Sequence, residues 1–445
     1  MTTSVRTGPN GTLEAGVARH NLTPPVGVDL TGYIGRPGPS AKVHDDLSVT
    51  ALVLDDGETR VGIVSLDLLG TDAEQDAALR AKASQVSGIE PGNLLFASSH
   101  THAGPATQLL RRCGTPDDSY LRWAFSQVVS AVEQASKTLK PAELRFFTAT
   151  SDLAINRRGF VFDRGTQASK TSGVITDPEV SALVVYIDSA APVLVFNYAC
   201  HGVVMGSDNV QISADWIGAA RSILEDSPVI GMSMFLQGCC GNINPRWRGS
   251  FDEVVRAGES VARPVLAAMP QAQRVSGTPV EVAWHSVDLP FLPLPPQEEL
   301  EQQISYMRGE LARKRAEGVP GAQLEVDQAM IWWAEDALKA QKTDGGPTHV
   351  TVRLQAVRLG DVTLVALPGE AFCEIGLTIK QMAGPRTMVV GYANGNIGYI
   401  PTAEAYAEGG YETDQAYKFY GLSMIGPESE RIVLDGVKNL LAELA

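Results

Sequence analysis

Cysteines and long apolar runs are both scarce in this sequence of 445 residues. There are five cysteines, and the adjacent pair Cys239 and Cys240 does not have the spacing of a disulfide framework. We therefore expect a reducing environment, of which the cytoplasm is the simplest case. No stretch approaches ~18 consecutive apolar residues, the length needed for a membrane-spanning helix. No apolar run follows Arg6 near the N-terminus, so we also expect no secretion signal.

Basic residues are outnumbered by acidic ones. Lys and Arg total 36 against 51 for Asp and Glu, which gives a formal net charge of −15. An acidic surface of this size repels nucleic acid and anionic lipid, so we expect no nucleic-acid partner and no stable membrane association. A hydrophobic content of 44% with 20% charged residues is typical of a globular protein. With nucleic acid and membranes excluded, the expected partner is a small-molecule substrate. A homo-oligomer is also possible, because composition does not determine the oligomeric state.

Short apolar runs rich in β-branched residues alternate with helical patterns along the chain. The runs predict buried strands at 50–56, 60–69, 93–99, 181–188, 192–200, 228–238, 362–369 and 386–394. Helical periodicity covers 71–88 and 117–139, and two exposed helices are predicted as an insertion at about 296–341. This alternation predicts an α/β fold, with a mixed β-sheet core flanked by helices in a single large domain. We assign that domain to 13–445 and expect a disordered tail over 1–12.

Three of the seven histidines lie at the ends of predicted strands. His100 and His102 occur in SSHTHAGP after the strand at 93–99, and His201 follows the strand at 192–200. Residues i and i+2 of an extended backbone point to the same side, so the first two imidazoles can face one pocket. Such a pair can supply one metal ligand and one acid/base group. The alternatives are a hydrophilic loop for the pair and a structural role for His201.

Glu370 follows a buried strand and a Pro-Gly turn in VTLVALPGE. Together with two imidazoles at other strand ends, this carboxylate would make a zinc ligand set that leaves a position open for water or substrate. Glycine and tyrosine are concentrated at 391–412, where phenolic oxygens can form hydrogen bonds or bind a metal. The alternative for that segment is an ordinary glycine-rich loop.

Several other polar groups are weaker candidates. Cys239 or Cys240 could be a nucleophile, although a cysteine after an apolar strand is more often a small buried hydrophobe. Asp67 and Asp215 could orient a ligand histidine or, alternatively, cap a neighbouring helix. Arg157 and the arginine after it would suit a substrate carboxylate, or be ordinary surface residues.

Seven segments, taken in order, resemble the catalytic domain of the neutral/alkaline, non-lysosomal ceramidases. They are AGVARHNLTPPVGVDLTGY (15–33), HDDLSVTALVLDDG (44–57), SHTHAGP (99–105), the His201 segment through ISADWIG, QGCCGNINP (237–245), LPGE (367–370) and GYIPT (398–402). Each segment alone is a weak signal, but the ordered set spans nearly the whole chain. We expect the C-terminal β-sandwich typical of ceramidases to be absent, so the resemblance is closest to short members of this superfamily.

The resemblance implies a zinc amidase with one zinc ion per chain. His100, His201, Glu370 and Tyr399 match the family's zinc ligands, and His102 matches its transition-state or acid/base residue. Tyr399 is supplied by the resemblance, since spacing alone does not select it. As a phenol beside the metal, it is also a candidate catalytic donor.

One segment departs from the family pattern. The family's Gly-Asp-x-Ser-Pro reads Gly241-Asn242-Ile243-Asn244-Pro245 here, so Asn244 stands in place of the serine. Asparagine is not a nucleophile, which favours attack by water without an acyl-enzyme. We take Asn242, Asn244, Arg157 and Tyr411 as candidate substrate contacts.

These observations predict a zinc-dependent hydrolase that cleaves an amide bond of a soluble small-molecule or N-acyl substrate with metal-activated water. The first alternative is the same site acting on an ester, lactone or glycan bond. The others are a cysteine hydrolase using Cys239 or Cys240 and a non-catalytic binding protein on the same scaffold.

Overall fold

The computed structural model describes residues 13–159, 175–277, 279–343 and 345–445, and the tail expected at 1–12 lies outside them. Within the described residues the strands are β1 (Glu14–Asn21), β2 (Lys42–Val43), β3 (Ser48–Asp55), β4 (Arg60–Leu66), β5 (Leu94–Ser98), β6 (Lys140–Thr150), β7 (Ala154–Asn156), β8 (Glu179–Ile187), β9 (Val193–Tyr198), β10 (Gln211–Ile212), β11 (Met232–Gln237), β12 (Ile243–Pro245), β13 (Gln273–Arg274), β14 (Val280–Pro290), β15 (His349–Leu359), β16 (Val362–Ala366), β17 (Glu370–Ala371), β18 (Thr387–Val390) and β19 (Tyr399–Ile400). The α-helices are α1 (Ala73–Ser87), α2 (Asp118–Lys137), α3 (Asp215–Glu225), α4 (Phe251–Ala268), α5 (Gln297–Ala316), α6 (Gly321–Thr343), α7 (Cys373–Ala383), α8 (Ala403–Glu408), α9 (Tyr417–Tyr420) and α10 (Ser429–Glu443).

Two mixed sheets form the framework of the fold. The large sheet has the order β11-β9-β8-β6-β1-β3-β4-β5, with β13 paired to β6. Its β9–β11 and β4–β5 pairs are parallel, whereas its other pairs are antiparallel. The second sheet has the order β14-β15-β16-β18 and is also mixed. The predicted α/β class with a mixed sheet core is therefore confirmed.

Alternate residues of the large sheet face two different cores. Along β3, Leu52 and Leu54 pack in a cluster shared with the second sheet, whereas Ala51 and Val53 pack with α1 and α2. The helices α3 and α4 pack against β8 and β9 in the same way, and α7 and α10 pack on the second sheet. Strands buried on both faces carry nearly continuous apolar runs. For this reason all eight predicted runs contain strands of the structure.

The strands that have one exposed face were not predicted from the sequence. In β6 the exposed Lys140 and Arg145 alternate with buried residues, and β14 and β15 carry exposed polar residues in the same way. Such interruptions hide the apolar run that marks a strand buried on both faces. The two helices α5 and α6 lie in the segment predicted as a helical insertion and share a small apolar cluster of their own. No helix of the described segments is long and apolar enough to cross a bilayer.

Candidate metal centre

Strand ends bring the predicted histidines together. His100 and His102 follow β5, His201 follows β9, and a parallel bridge joins Thr101 to Gly202 between them. The amide of His102 donates to the carbonyl of Gly202 at 3.1 Å. A Cβ at Gly202 would lie 3.1 Å from the Cα of Thr101, tighter than most real contacts, so glycine lets the two segments meet.

Glu370 and Tyr399 are placed by a second parallel pairing. They are directly opposite each other in the short β17–β19 ladder, and the amide of Glu370 donates to the carbonyl of Gly398 at 2.8 Å. Opposite residues of a ladder project from the same face. The Glu370 carboxylate and the Tyr399 phenol therefore belong to one site, although they are 29 residues apart in sequence.

The ligand atoms of the three histidines lie within 4.8 Å of one another. Nε2 of His102 is 3.1 Å from Nε2 of His100. The Oε2 atom of Glu370 is 3.3 Å from Nε2 of His201 and 3.5 Å from Nε2 of His100. His100, His201 and Glu370 are almost entirely buried, whereas His102 is partly exposed. Four residues singled out in the sequence thus share one cluster.

Backbone carbonyls orient the two buried imidazoles. Nδ1 of His100 lies 2.7 Å from the carbonyl oxygen of Leu69, and Nδ1 of His201 lies 2.9 Å from that of Ile243. A carbonyl only accepts, so each Nδ1 carries the proton and each Nε2 presents a lone pair to the cluster.

Of the two alternatives for Asp67 and Asp215, the structure does not support orientation of a ligand histidine. Asp67 accepts from Arg221 at 2.6 Å, and Asp215 accepts from the backbone amides of Val204 and Met205 at 3.0 Å. Both carboxylates hold the surrounding loops. The groups that orient the two imidazoles are backbone carbonyls. Because every residue has a carbonyl, no sequence pattern could have identified them.

The backbone at His100 also differs from the prediction. Its φ is +60°, in the left-handed region, so the pair is not part of an extended strand. The two imidazoles still converge because the chain turns back toward Gly202. Gly32, with φ of +87°, packs against the ring of His102, where a Cβ would lie 2.5 Å from the ring. The unusual backbone at both positions is therefore used to shape the site.

Burial determines the charge state of the cluster. It lowers the pKa of His201 to about 4 and the pKa of His102 well below its usual value. Burial alone would raise the pKa of the Glu370 carboxyl, but His100 and His201 hold that pKa well below its usual range. A neutral His201 imidazole beside an ionised carboxylate has the protonation states that bind a metal cation. Two inward Nε2 lone pairs with a carboxylate oxygen therefore fit a zinc-type ion.

Tyrosines surround the carboxylate. The ring of Tyr392 stacks on His100 with 4.1 Å between ring centroids, and its hydroxyl is 3.4 Å from Oε2 of Glu370. The hydroxyl of Tyr420 donates a short hydrogen bond to Oε1 of Glu370. Tyr399 instead accepts a hydrogen bond of 3.1 Å from Arg157. Tyr392 lies in the glycine- and tyrosine-rich segment, whereas Tyr420 lies beyond it and had no local signal.

A cavity of about 790 Å³ opens onto this cluster. His102, His201 and Tyr399 line it, as do three of the predicted substrate contacts, Arg157, Asn244 and Tyr411. A volume of this order is typical of small-molecule sites.

The fourth predicted substrate contact, Asn242, lies elsewhere. It is buried, and its amide donates to Glu374 at 2.9 Å and accepts from the backbone of Cys373 at 3.0 Å. Asn242 does not line the cavity, so this geometry does not support its predicted contact with substrate. Its side chain ties the loop after β11 to the start of α7.

The cysteines next to the site are not activated. Cys239 and Cys240 are buried, and burial raises the pKa of Cys239 to about 12 and that of Cys240 well above its usual value. The Sγ of Cys240 is 3.1 Å from the hydroxyl of Tyr392. A reactive cysteine needs a thiolate near neutral pH, so this environment argues against a cysteine nucleophile.

Comparisons with known proteins point to one family. The family model described as neutral/alkaline non-lysosomal ceramidase, N-terminal, matches residues 13–272, more than half of the chain. A neutral ceramidase of Mycobacterium tuberculosis is 24% identical over 86% of this chain and 70% of the relative. Neutral ceramidase 2 of Arabidopsis thaliana is 28% identical over 47% of this chain, which spans only 30% of that relative.

The fold is shared with a solved structure. The crystal structure of neutral ceramidase from Pseudomonas aeruginosa gives a TM-score of 0.72 at 19% identity, covering 98% of this chain and 75% of that one. Fold, site and family match together define an enzyme of the hydrolase class. More specifically, the chain belongs to the neutral/alkaline non-lysosomal ceramidase family, as its motifs predicted.

Proposed function

We propose that this protein hydrolyses the amide bond of an N-acyl compound with the help of one zinc ion. His100, His201 and Glu370 would hold the ion, with Tyr399 as a further ligand. The observation that carries this proposal is the convergence of two Nε2 lone pairs, fixed by Leu69 and Ile243, on one ionised carboxylate. A zinc ion bound there would lower the pKa of a bound water toward neutrality and would polarise the substrate carbonyl.

His102 is suited to proton transfer. It lines the cavity, is partly exposed, and packs edge-on against Tyr33 with ring centroids 5.0 Å apart. A neutral imidazole in this position would accept a proton as water attacks and pass it to the leaving nitrogen. Protonation of that nitrogen is what allows the C–N bond to break.

Arg157 supports charge that develops during attack. It donates to Tyr399 at 3.1 Å and to Asn244 at 3.4 Å, and all three line the cavity. A fixed guanidinium and phenol beside the reacting carbonyl would stabilise an oxyanion. This network contains no serine or thiolate at the position of Asn244, which supports water as the attacking group.

The family relationship supports an N-acyl substrate. Its relatives are named for ceramide, whose scissile bond is an amide of a fatty acid. The net charge of −15 disfavours adsorption to anionic lipid, so we propose an N-acyl compound that reaches the cavity from solution.

Metal content and turnover test this proposal together. Wild type, His100→Ala and the control His285→Ala would be compared by inductively coupled plasma mass spectrometry and on an N-acyl aminocoumarin and the matching ester. His285 is partly exposed and hydrogen-bonds to Glu443, outside the cavity. We expect one zinc per chain and amide turnover in wild type and His285→Ala, and loss of both in His100→Ala. Full zinc and full turnover in His100→Ala would overturn the proposal, and turnover of the ester alone would reassign the bond.

A further inference from the structure

We propose that the substrate is an N-acyl amino acid, whose carboxylate is bound by Arg248 in the cavity of the metal centre. This inference rests on the proposed amide hydrolysis and specifies its substrate. In such a compound the carboxylate lies one carbon from the amide nitrogen, so both groups fit within a single cavity. Hydrolysis would add hydroxide to the acyl carbon and a proton to the nitrogen, releasing a carboxylate and a free amino acid.

Two of the three arginines that line the cavity are already neutralised. Nε of Arg157 is 2.8 Å from Oε1 of Glu412, and a terminal nitrogen of Arg158 is 2.7 Å from Oε2 of the same carboxylate. Arg158 also pairs with Glu408 at 2.9 Å. This arginine pair was one candidate from the sequence for binding a substrate carboxylate, but the chain's own carboxylates occupy it. Glu412 lies in a single π-helical turn at Tyr411–Gln415, a feature common at functional sites.

Arg248 has no such partner. Its one hydrogen bond within the described residues goes to the hydroxyl of Tyr33 at 3.0 Å, and no described carboxylate oxygen lies within 4.0 Å of it. Tyr33 in turn donates to the carbonyl of Met205 at 3.1 Å, which fixes the phenol that Arg248 meets. A guanidinium has five N–H donors, so most remain for a ligand.

Arg248 is exposed, but its location distinguishes it from the arginines outside the cavity. Arg248 lines the same cavity as His102 and His201, whereas nearby Arg246 is outside it and pairs with Asp152 at 2.9 Å. Three guanidiniums line the cavity, and Arg248 is the one without an ion pair among the described residues. A planar guanidinium matches a carboxylate with two parallel hydrogen bonds. The cavity therefore favours a negatively charged substrate over a neutral one.

A matched pair of ligands isolates the charge. N-hexanoylglycine and N-hexanoylglycinamide have the same scissile bond and nearly the same shape, but only the first carries a carboxylate. Their binding would be measured by calorimetry on zinc-loaded and on chelator-treated protein, and their kcat/KM on zinc-loaded protein. The chelator-treated arm removes direct binding of the carboxylate to the metal. The variants are Arg248→Ala, Arg248→Lys and the control Arg246→Ala.

We expect wild type to bind the carboxylate ligand more tightly with and without metal. Arg248→Ala should lose roughly tenfold or more for that ligand and stay within about twofold for the glycinamide, since hydrogen bonds to charged groups are the strong ones. Arg248→Lys should retain part of the preference, and Arg246→Ala all of it.

Three results separate the proposals. Equal binding of the two ligands by wild type, or equal losses for both in Arg248→Ala, would overturn the inference. If the preference depends on Arg248 while neither compound is hydrolysed, recognition of the carboxylate stands and the proposed amide hydrolysis fails. Turnover of the glycinamide alone supports amide hydrolysis and rejects the carboxylate substrate.

Discussion

The Nε2 atoms of His100 and His102 lie only 3.1 Å apart. Because the carbonyl of Leu69 holds the proton on Nδ1 of His100, the inward nitrogen of His100 is an acceptor and His102 is the donor. This assignment leaves Nδ1 of His102 without a hydrogen-bond partner, as the structure shows. A cation bound to His100 would take the same lone pair and release His102. We therefore expect metal binding and the availability of His102 for proton transfer to be coupled.

Tyr420 is expected to tune the metal affinity through Glu370. Its hydroxyl donates to Oε1 of that carboxylate, so Tyr420→Phe removes an orienting hydrogen bond but keeps the ring. Loss of such a partner typically weakens metal affinity or activity by about 10- to 100-fold. Competition with a zinc chelator would measure the change. Tyr306→Phe is the control, since Tyr306 is 70% exposed on α5. An affinity equal to that of wild type would show that the carboxylate needs no such support.

Removal of the metal should lower the thermal stability of the protein. The centre joins the segments after β5, β9 and β16, and a ligand at 1,000 times its Kd stabilises the folded state by about 4 kcal/mol. Calorimetry with and without chelator should show a drop in Tm for wild type and for His285→Ala. The variant His201→Ala should have the same Tm with and without chelator, because it has lost one of the side chains that hold the metal. A zinc-dependent Tm in His201→Ala would place the ion elsewhere.

Candidate ligands of the centre could be predicted from the sequence where an ionisable residue follows a buried strand. The strands before His100, His201 and Glu370 are buried on both faces, so these three residues stand out as ionisable groups just past the strand ends. The fold class followed from the same runs. The strands β6 and β14, with one exposed face, lack this signature and were missed.

Contacts between distant segments could not be predicted in this way. Arg157 pairs with Glu412 across 255 residues, and Tyr420 reaches Glu370 across 50. Both contacts depend on tertiary packing, which a local pattern does not encode. The orienting carbonyl of Ile243 has no side-chain signal at all. The predicted ligands could therefore be named from sequence, while the groups that set their orientation required the structure.

The cysteines should be dispensable for turnover. At a pKa of about 12, only about one Cys239 thiol in 10⁵ is ionised at neutral pH, so native enzyme should resist iodoacetamide. Cys239→Ala should keep activity within about twofold, with a stability loss of about 1 kcal/mol measured by denaturant unfolding. The five free cysteines of the described chain should all react once the protein is unfolded, which controls for reagent quality. Inactivation of native, zinc-replete enzyme by iodoacetamide would return the cysteine hydrolase to consideration.

The replacement at Asn244 predicts a reaction without a covalent intermediate. Asn244 lines the cavity and accepts from Arg157 at 3.4 Å, a long hydrogen bond whose loss in Asn244→Ala should lower kcat/KM by roughly 2- to 10-fold. Because an amide side chain does not attack a carbonyl, rapid-mixing experiments on wild type should show no burst, and intact mass spectrometry during turnover should show no acyl adduct.

The variant Asn244→Ser tests whether a nucleophilic side chain at position 244 could attack the substrate. A burst near one equivalent in wild type would contradict direct attack by water. A burst in Asn244→Ser alone would show that a hydroxyl here can reach the substrate carbonyl while the native amide does not react. That result would still assign water as the nucleophile of the wild-type protein, because Asn244 offers no hydroxyl or thiol that could be acylated.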